Sequence, residues 1–386
     1  MLALACGSIA FAQVPPVPPP DSAAKAAAQG PAAVGAVTET VEFASGSSWH
    51  LTVDAVKQFA LVITGASFQR SPNSPFVYVL SDGRIGEIFV PYHTGTSRFM
   101  DIALNFDPLP LNPAQFPPPR RIIGGGKICK EMRDYLAYIS QDQNGTTRVR
   151  YGQEVVYFSV LKAANYEYIM EWTFRDDGAI LVRAGSTGPK FAAFPERGHM
   201  HNFTWRLDID LNGADHNSAY LTKHVEDLTP PFPPPPPPEG GSTAVDSRDL
   251  IETEGSRFWR PQNFNTLVIE DRTLENSNGR RTSYELVPMR SGTARHNEPY
   301  TRADFWVTVY DPAELLAEDL PIYVRDGLST VDKDLVIWYT GSEHHETDSR
   351  DEDFNTVPVL WTGFQLIPNN LFNKTPFYPG PTPRPR

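Results

Sequence analysis

The fold class is indicated most clearly by residues 154–174, which read EVVYFSVLKAANYEYIMEWTF. The stretch is dominated by β-branched and aromatic residues, a composition typical of strands. Similar runs occur as FVYVL at 76–80 and LVIWY at 335–339, and turn residues such as SDG at 81–83 separate them. Helical periodicity is weak, and residues 312–317 are the best helical candidate. The pattern therefore predicts an all-β protein, a large antiparallel β-sandwich.

The charge composition of the chain argues against some classes of binding partner. The chain has 386 residues, with 34 Lys and Arg against 46 Asp and Glu, which gives a formal charge of −12. No block of basic residues occurs, so nucleic acid and anionic membrane surfaces are poor candidate partners. No internal apolar run approaches the roughly 20 residues that span a bilayer, and we expect no membrane span.

The chain divides into three consecutive segments of different composition. Residues 1–12 are apolar and end in a small-x-small pattern before Gln13, which predicts a signal peptide that is truncated, because its basic region is absent. Residues 13–40 are rich in Pro and Ala and predict a flexible leader. Residues 41–386 then form one β-sandwich domain, in which the proline run at 230–238 predicts a polyproline loop.

We expect a secreted or periplasmic protein. Of its two cysteines, Cys6 lies in the signal segment, so no intrachain disulfide is expected.

Two groups of histidines are candidate metal ligands. His199 and His201 are two positions apart, so in a strand both imidazoles project to one face. A second pair, His344 and His345, comes late in the chain among acidic residues. Three imidazoles from separate strands suit a borderline transition metal, whereas the alternative is ordinary polar histidines.

Two tyrosines share a face in the same way. Tyr166 and Tyr168 lie in the motif NYEY at 165–168. By periodicity alone they are two core or interface aromatics.

The chain resembles the copper amine oxidases in several motifs that stand in the family's order between about residues 84 and 377. The matching segments are 165–168 (NYEY), 176–188 (DDGAILVRAGSTG), 199–210 with HMH and DID, 294–308 (ARHNEPYTRADFWVT), 333–340 (KDLVIWYT) and 363–372 (GFQLIPNNLF). The resemblance implies the family's quinone-containing catalytic domain in a divergent form. The extra N-terminal domains of family members have no room here, so we expect a pared-down catalytic domain.

The resemblance also assigns the cofactors. It implies that Tyr166 becomes topaquinone, that Asn165 helps to orient the ring, and that Tyr92 hydrogen-bonds a quinone oxygen. His199 and His201 would bind copper with a third histidine, which the family places eleven residues after the residue matching Asp334. That spacing selects His345 over its neighbour His344.

The resemblance implies that the catalytic base is an aspartate downstream of the strand VPY at 90–92, and two residues compete for the role. The family spacing from Tyr92 favours Asp107, whereas an aromatic gate two residues before the base favours Asp101, which follows Phe99. We assign the role to Asp101. The resemblance further implies a peripheral calcium site, for which the matching residues are Asp208, Asp210 and Asp334.

The function implied by this resemblance is oxidative deamination of a primary amine by dioxygen, with aldehyde, ammonia and hydrogen peroxide as products, in a homodimer. The alternative is a secreted β-sandwich protein of the same fold that binds copper or another ligand without turnover. Two departures from the family pattern support the alternative: the glycine-rich stretch after Asp101 is replaced, and the loop after His345 is longer.

Overall fold

The computed structural model describes residues 35–93, 97–190, 198–226, 244–260, 264–289, 295–353 and 355–373. These residues contain twenty strands and very little helix. The strands are β1 (Val37–Glu42), β2 (Ser48–Val56), β3 (Ala60–Gln69), β4 (Phe76–Leu80), β5 (Asp82–Pro91), β6 (Arg98–Met100), β7 (Arg121–Ile123), β8 (Ile128–Gln141), β9 (Thr147–Ala163), β10 (Tyr166–Arg175), β11 (Ile180–Thr187), β12 (His199–Ile209), β13 (Asn217–Glu226), β14 (Ala244–Leu250), β15 (Gly255–Arg257), β16 (Leu267–Glu275), β17 (Arg281–Pro288), β18 (Phe305–Val309), β19 (Leu335–His345) and β20 (Leu360–Asn369).

The strands form two antiparallel sheets of ten strands each, which confirms the predicted β-sandwich. The first sheet has the order β1-β2-β3-β5-β12-β19-β18-β15, with β4 paired to β3 and β6 to β5. The second sheet has the order β14-β13-β16-β17-β20-β11-β10-β9-β8-β7. Strands distant in sequence are therefore neighbours in the first sheet, where β12 lies between β5 and β19.

Large aromatic side chains fill the space between the sheets. Trp49 of the first sheet packs on Phe174 of the second with ring centroids 5.2 Å apart, and Trp205 meets Phe364 at 5.3 Å. Burying one such side chain contributes about 1.5–3 kcal/mol, so these contacts hold the two sheets face to face. Cys129 is also buried and forms no disulfide.

The first sheet is covered on its outer face as well. Phe89, Trp306 and Trp338 form a second apolar cluster there with Tyr300 and Leu320. The covering segment contains 3-10 turns at Pro299–Arg302 and Ala317–Asp319 and a single helical turn, α1 (Leu320–Tyr323). Strands buried on both faces are apolar almost throughout, as in residues 85–90.

The helix prediction at residues 312–317 is wrong. The helical segment begins only at Ala317, and the residues before it form a turn and extended chain. The carboxylate of Asp311 accepts a hydrogen bond from the backbone N–H of Ala313 at 2.8 Å. This side-chain bond satisfies a backbone donor locally and competes with helix formation.

The leader boundary predicted at residue 40 is too late, because β1 already begins at Val37 and pairs with β2. Its alternating sequence VTETVE buries Val41 in the core. The predicted signal peptide at 1–12, the leader up to residue 34 and the polyproline loop at 230–238 lie outside the described residues. No helix in the described ranges has the length and apolar character needed to cross a membrane.

Candidate active site

Three buried histidines converge between the sheets. His199 and His201 begin β12, His345 ends β19, and the two strands pair so that His199 lies opposite His345. All three side chains are buried, and one nitrogen from each lies within 4.8 Å of the others. His199 Nε2 and His201 Nε2 are 3.1 Å apart. Antiparallel pairing thus brings residues separated by well over a hundred positions into one cluster.

Tyr166 reaches this cluster from the opposite sheet, at the start of β10. Its hydroxyl lies 2.8 Å from His199 Nε2 and 3.1 Å from His345 Nδ1. His345 therefore turns Nδ1 towards the centre, while its Nε2 lies 3.0 Å from Asp351 Oδ1. A carboxylate on the outer nitrogen is the usual partner of a metal-binding imidazole, because it fixes the ring orientation.

The electrostatics of the cluster suit a metal ion. Burial lowers the pKa of His201 well below its usual range, and His199 and His345 lower it further. A neutral imidazole keeps the lone pair that a metal needs. Burial also raises the pKa of the Tyr166 phenol, with Tyr92 and Asp351 adding to the effect. Three imidazoles beside a phenol are a donor set that fits Cu²⁺.

The two competing histidines of β19 lie on opposite faces. His345 is buried in the cluster, whereas His344 has a side chain that is 42% exposed. The alternation of strand side chains allows only one of two consecutive residues to face the core.

The two candidate bases also occupy different environments. Asp101 is buried and its Oδ2 accepts a hydrogen bond from the Tyr168 hydroxyl at 2.6 Å, whereas Asp107 is exposed. Burial raises the pKa of Asp101 to about 6, although the bond from Tyr168 opposes this rise. The Tyr168 hydroxyl also lies 3.2 Å from His201 Nδ1, so it links the aspartate to the histidine cluster.

Tyr92 and Asn165 frame Tyr166. The Tyr92 ring stacks on His199 with centroids 4.4 Å apart, and the Tyr92 and Tyr166 side chains are hydrogen-bonded. Asn165 donates from Nδ2 to the Pro189 carbonyl at 2.9 Å. Gly188 has a φ of +137°, and a Cβ there would lie 2.2 Å from the Asn165 carbonyl, so only glycine fits.

Sequence reasoning missed two supporting acids, Asp351 and Glu87. Glu87 Oε1 accepts hydrogen bonds from the backbone N–H of Ile88 at 2.8 Å and of Ile102 at 2.9 Å. It thereby holds the segment that carries Asp101 against β5. In the sequence, Glu87 stands out as the single acid within the apolar run at 85–90, which marks it as a buried polar residue that needs a partner. Asp351 lies among other acidic residues, so the sequence does not distinguish it.

The three acids assigned to calcium also come together. Asp208 and Asp210 lie at the far end of β12 and Asp334 just before β19, with carboxylate oxygens within 4.8 Å of one another. Asp210 Oδ2 accepts a hydrogen bond from Ser81 Oγ at 2.7 Å.

The fold and this cluster define a class of protein. Residues 133–384 match the family described as copper amine oxidase, enzyme domain. The chain therefore belongs to the copper amine oxidase family, as its motifs predicted. Tyr166 and the three histidines lie inside the matched range, whereas Tyr92 and Asp101 precede it.

Proteins of similar sequence are named as amine oxidases. The chain is 29% identical over 288 residues to a primary amine oxidase of Arthrobacter sp. (strain P1), covering 62% of this chain and 42% of that protein. It is 28% identical over 273 residues to a peroxisomal copper-containing amine oxidase, alpha 2, of Arabidopsis thaliana, covering 60% and 39%. The chain thus matches about 40% of the length of these relatives.

Solved structures agree on the fold. The copper-containing benzylamine oxidase of Hansenula polymorpha superposes with a TM-score of 0.67 at 18% identity, covering 86% of this chain and 60% of that one. The amine oxidase of Aspergillus nidulans gives 0.67 at 16% identity, covering 95% and 56%.

Replacing His345 by Ala should abolish stoichiometric copper binding, because it removes one of the three clustered imidazoles. Replacing His344 by Ala should leave one tightly bound copper per chain, since its side chain lies on the other face of β19. Metal analysis after dialysis measures both. Loss of the tight copper from His344→Ala alone would contradict the assignment.

Replacing Glu87 by Gln should flatten the dependence of stability on pH. Burial raises the pKa of Glu87 to about 8 from its ordinary 4.5. Between these values the folded chain binds more protons than the unfolded chain, so stability falls as pH rises through this window. Gln keeps the oxygen that accepts from Ile88 and Ile102 but cannot ionise. We expect the melting temperature of wild type to fall more steeply between pH 5 and 8 than that of Glu87→Gln, with exposed Asp107→Asn as control. Equal slopes of melting temperature against pH for wild type and Glu87→Gln would contradict this prediction.

Proposed function

We propose that this chain is a copper-dependent primary-amine oxidase in which Tyr166 is the precursor of topaquinone. The reaction consumes a primary amine, dioxygen and water and releases an aldehyde, ammonia and hydrogen peroxide. The observation that carries the proposal is the buried Tyr166 hydroxyl, within hydrogen-bond distance of two of the three clustered imidazoles. The names of the relatives support it.

His199, His201 and His345 would hold the copper ion. When bound, copper and the quinone supply the electrophilic carbonyl and the electron sink that no side chain of the twenty amino acids provides. Asp351 would keep the ring of His345 in place through its bond to Nε2. Tyr92 and Asn165 would orient the modified ring from its two sides, Tyr92 by its hydrogen bond and Asn165 through the strand start that its amide anchors.

Asp101 would take the proton from the α-carbon of the amine. Tyr168 donates to Oδ2 of this carboxylate, which leaves Oδ1 to accept the proton. A base with a pKa near 6 is ionised at neutral pH and binds a proton more strongly than an ordinary aspartate does. The ring of Phe99, 5.9 Å from that of Tyr92, would line the approach and help to exclude water.

Three further features belong to the proposal. Asp208, Asp210 and Asp334 would bind calcium, because clustered carboxylates suit a hard cation. The chain would act as a homodimer in a secreted or periplasmic setting. The homodimer follows from the family resemblance, and the setting from the sequence of residues 1–12.

Aerobic loading of copper-free protein with Cu²⁺ should convert Tyr166 into a quinone that reacts with a hydrazine. Tyr166→Phe should abolish this reaction, whereas Tyr168→Phe should retain it because Tyr168 has no role as precursor. Peptide mapping by mass spectrometry locates the modified residue. Unmodified Tyr166 in fully copper-loaded wild type would instead favour a metal-binding protein without turnover.

Replacing Asp101 by Asn should leave quinone formation and hydrazine capture intact but reduce amine turnover by about 10²–10⁴-fold, the usual contribution of a general base. In wild type, kcat/KM should rise with pH through about 6 as Asp101 loses its proton. Asp107→Asn is the matched control and should turn over normally. An inactive Asp107→Asn beside a normal Asp101→Asn would reverse the assignment.

A further inference from the structure

The outer face of the first sheet carries a second pair of facing imidazoles, directly behind the histidine cluster. Tyr92, His199 and His345 form one row across three neighbouring strands, because Tyr92 bridges His199 and His199 pairs with His345. Side chains alternate along a strand, so the next residue of each outer strand turns to the opposite face. These residues are His93, which follows β5, and His344 of β19.

The two imidazoles meet beside a glycine. His93 Nε2 lies 3.2 Å from His344 Nε2, and the ring centroids are 5.1 Å apart. Between them, Gly198 precedes β12 and accepts the His93 backbone N–H at 3.2 Å. A Cβ on Gly198 would lie 3.4 Å from His344 Nε2 and 3.2 Å from Glu346 Oε2. The two imidazole nitrogens therefore lie close enough to share one ion, and the Glu346 carboxylate lies on the His344 side of the pair.

We propose that His93 and His344, with the carboxylate of Glu346 beside them, form a second metal site for a borderline divalent ion such as Cu²⁺ or Zn²⁺. Two imidazole nitrogens that bind one ion at 2.0–2.1 Å are separated by about 2.8 to 3.4 Å for angles between 90° and tetrahedral. The 3.2 Å separation lies within this interval, so the two nitrogens need not move apart or together to share an ion. Glu346 Oε2 is 3.7 Å from His344 Nε2, and the Glu346 side chain is 79% exposed, so it has room to move onto the ion.

The chemistry of this outer site differs from that of the buried cluster. Imidazole nitrogen with a carboxylate oxygen suits borderline divalent metals and not the hard ions Ca²⁺ and Mg²⁺. Two imidazoles open to solvent bind more weakly than three buried ones, and the ion would exchange readily. The negative charge of the chain, −12, favours cations at its surface. The site needs neither the quinone nor amine turnover, so it is independent of the proposed function.

Isothermal titration of tag-free, copper-loaded holoprotein with Zn²⁺ tests the site. We expect wild type to bind one zinc ion per chain in addition to its copper. His93→Ala and His344→Ala should each weaken this binding by about 10–100-fold or more, since even the loss of a residue that only supports a ligand costs that much. His50→Ala is the matched control, because His50 is an exposed strand histidine whose Nδ1 bonds Thr40 Oγ1 at 3.0 Å. It should bind zinc as wild type does.

Copper content and the circular dichroism melt report whether each variant is folded. If copper does not load the buried cluster, wild type should bind two zinc ions, and only the weaker one should disappear in His93→Ala. This pattern separates a failure of the proposed function from a failure of the outer site. The proposal is overturned if folded His93→Ala and His344→Ala bind zinc with wild-type stoichiometry and affinity. It is also overturned if copper-loaded wild type binds no additional zinc at millimolar concentration.

Discussion

The site depends on the contact of the Tyr166 hydroxyl with the imidazoles of His199 and His345. This contact joins the two sheets through polar groups at the centre of an apolar core. Burying a phenol and three imidazoles away from water is costly unless each group finds a partner. Here they partner one another, and Asp351 closes the cluster on its far side. The same enclosure lowers the pKa of His201, and the neutral imidazole that this favours is the state that binds a metal ion.

The alternation of side chains on β5, β12 and β19 gives this end of the sheet two chemically distinct faces. Inward residues form the buried cluster against the second sheet. Outward residues include the apolar cluster around Trp338 and, nearer the strand ends, the facing imidazoles of His93 and His344. One sheet therefore supports a desolvated site and a solvated site within a few residues of each other.

The segment that carries Asp101 shows how an irregular stretch is held in register with rigid strands. It pairs briefly with β5, its backbone N–H at Ile102 bonds the buried Glu87, and the Asp101 carboxylate bonds Tyr168 of the opposite sheet. Tyr168 in turn contacts His201, so the candidate base and the candidate metal ligands share one hydrogen-bonded chain. Such networks resist displacement because any shift leaves a buried polar group without its partner.

Composition, motifs and a period of two are enough to establish the β-class, the family and the shared faces of His199 with His201 and of Tyr166 with Tyr168. Sequence arguments for Asp101 and Asp107 pointed in opposite directions, and the folded chain gives them different environments, since Asp101 lies under Tyr168 and Asp107 is exposed to solvent. Tertiary contacts also place Glu87 and Asp351 at the site, and the 3-10 turn begins at Ala317 and not at residue 312. Local periodicity shows which face of its own strand a residue occupies. Burial and hydrogen-bond partners depend on strands far away in sequence, and no local pattern encodes which strands become neighbours.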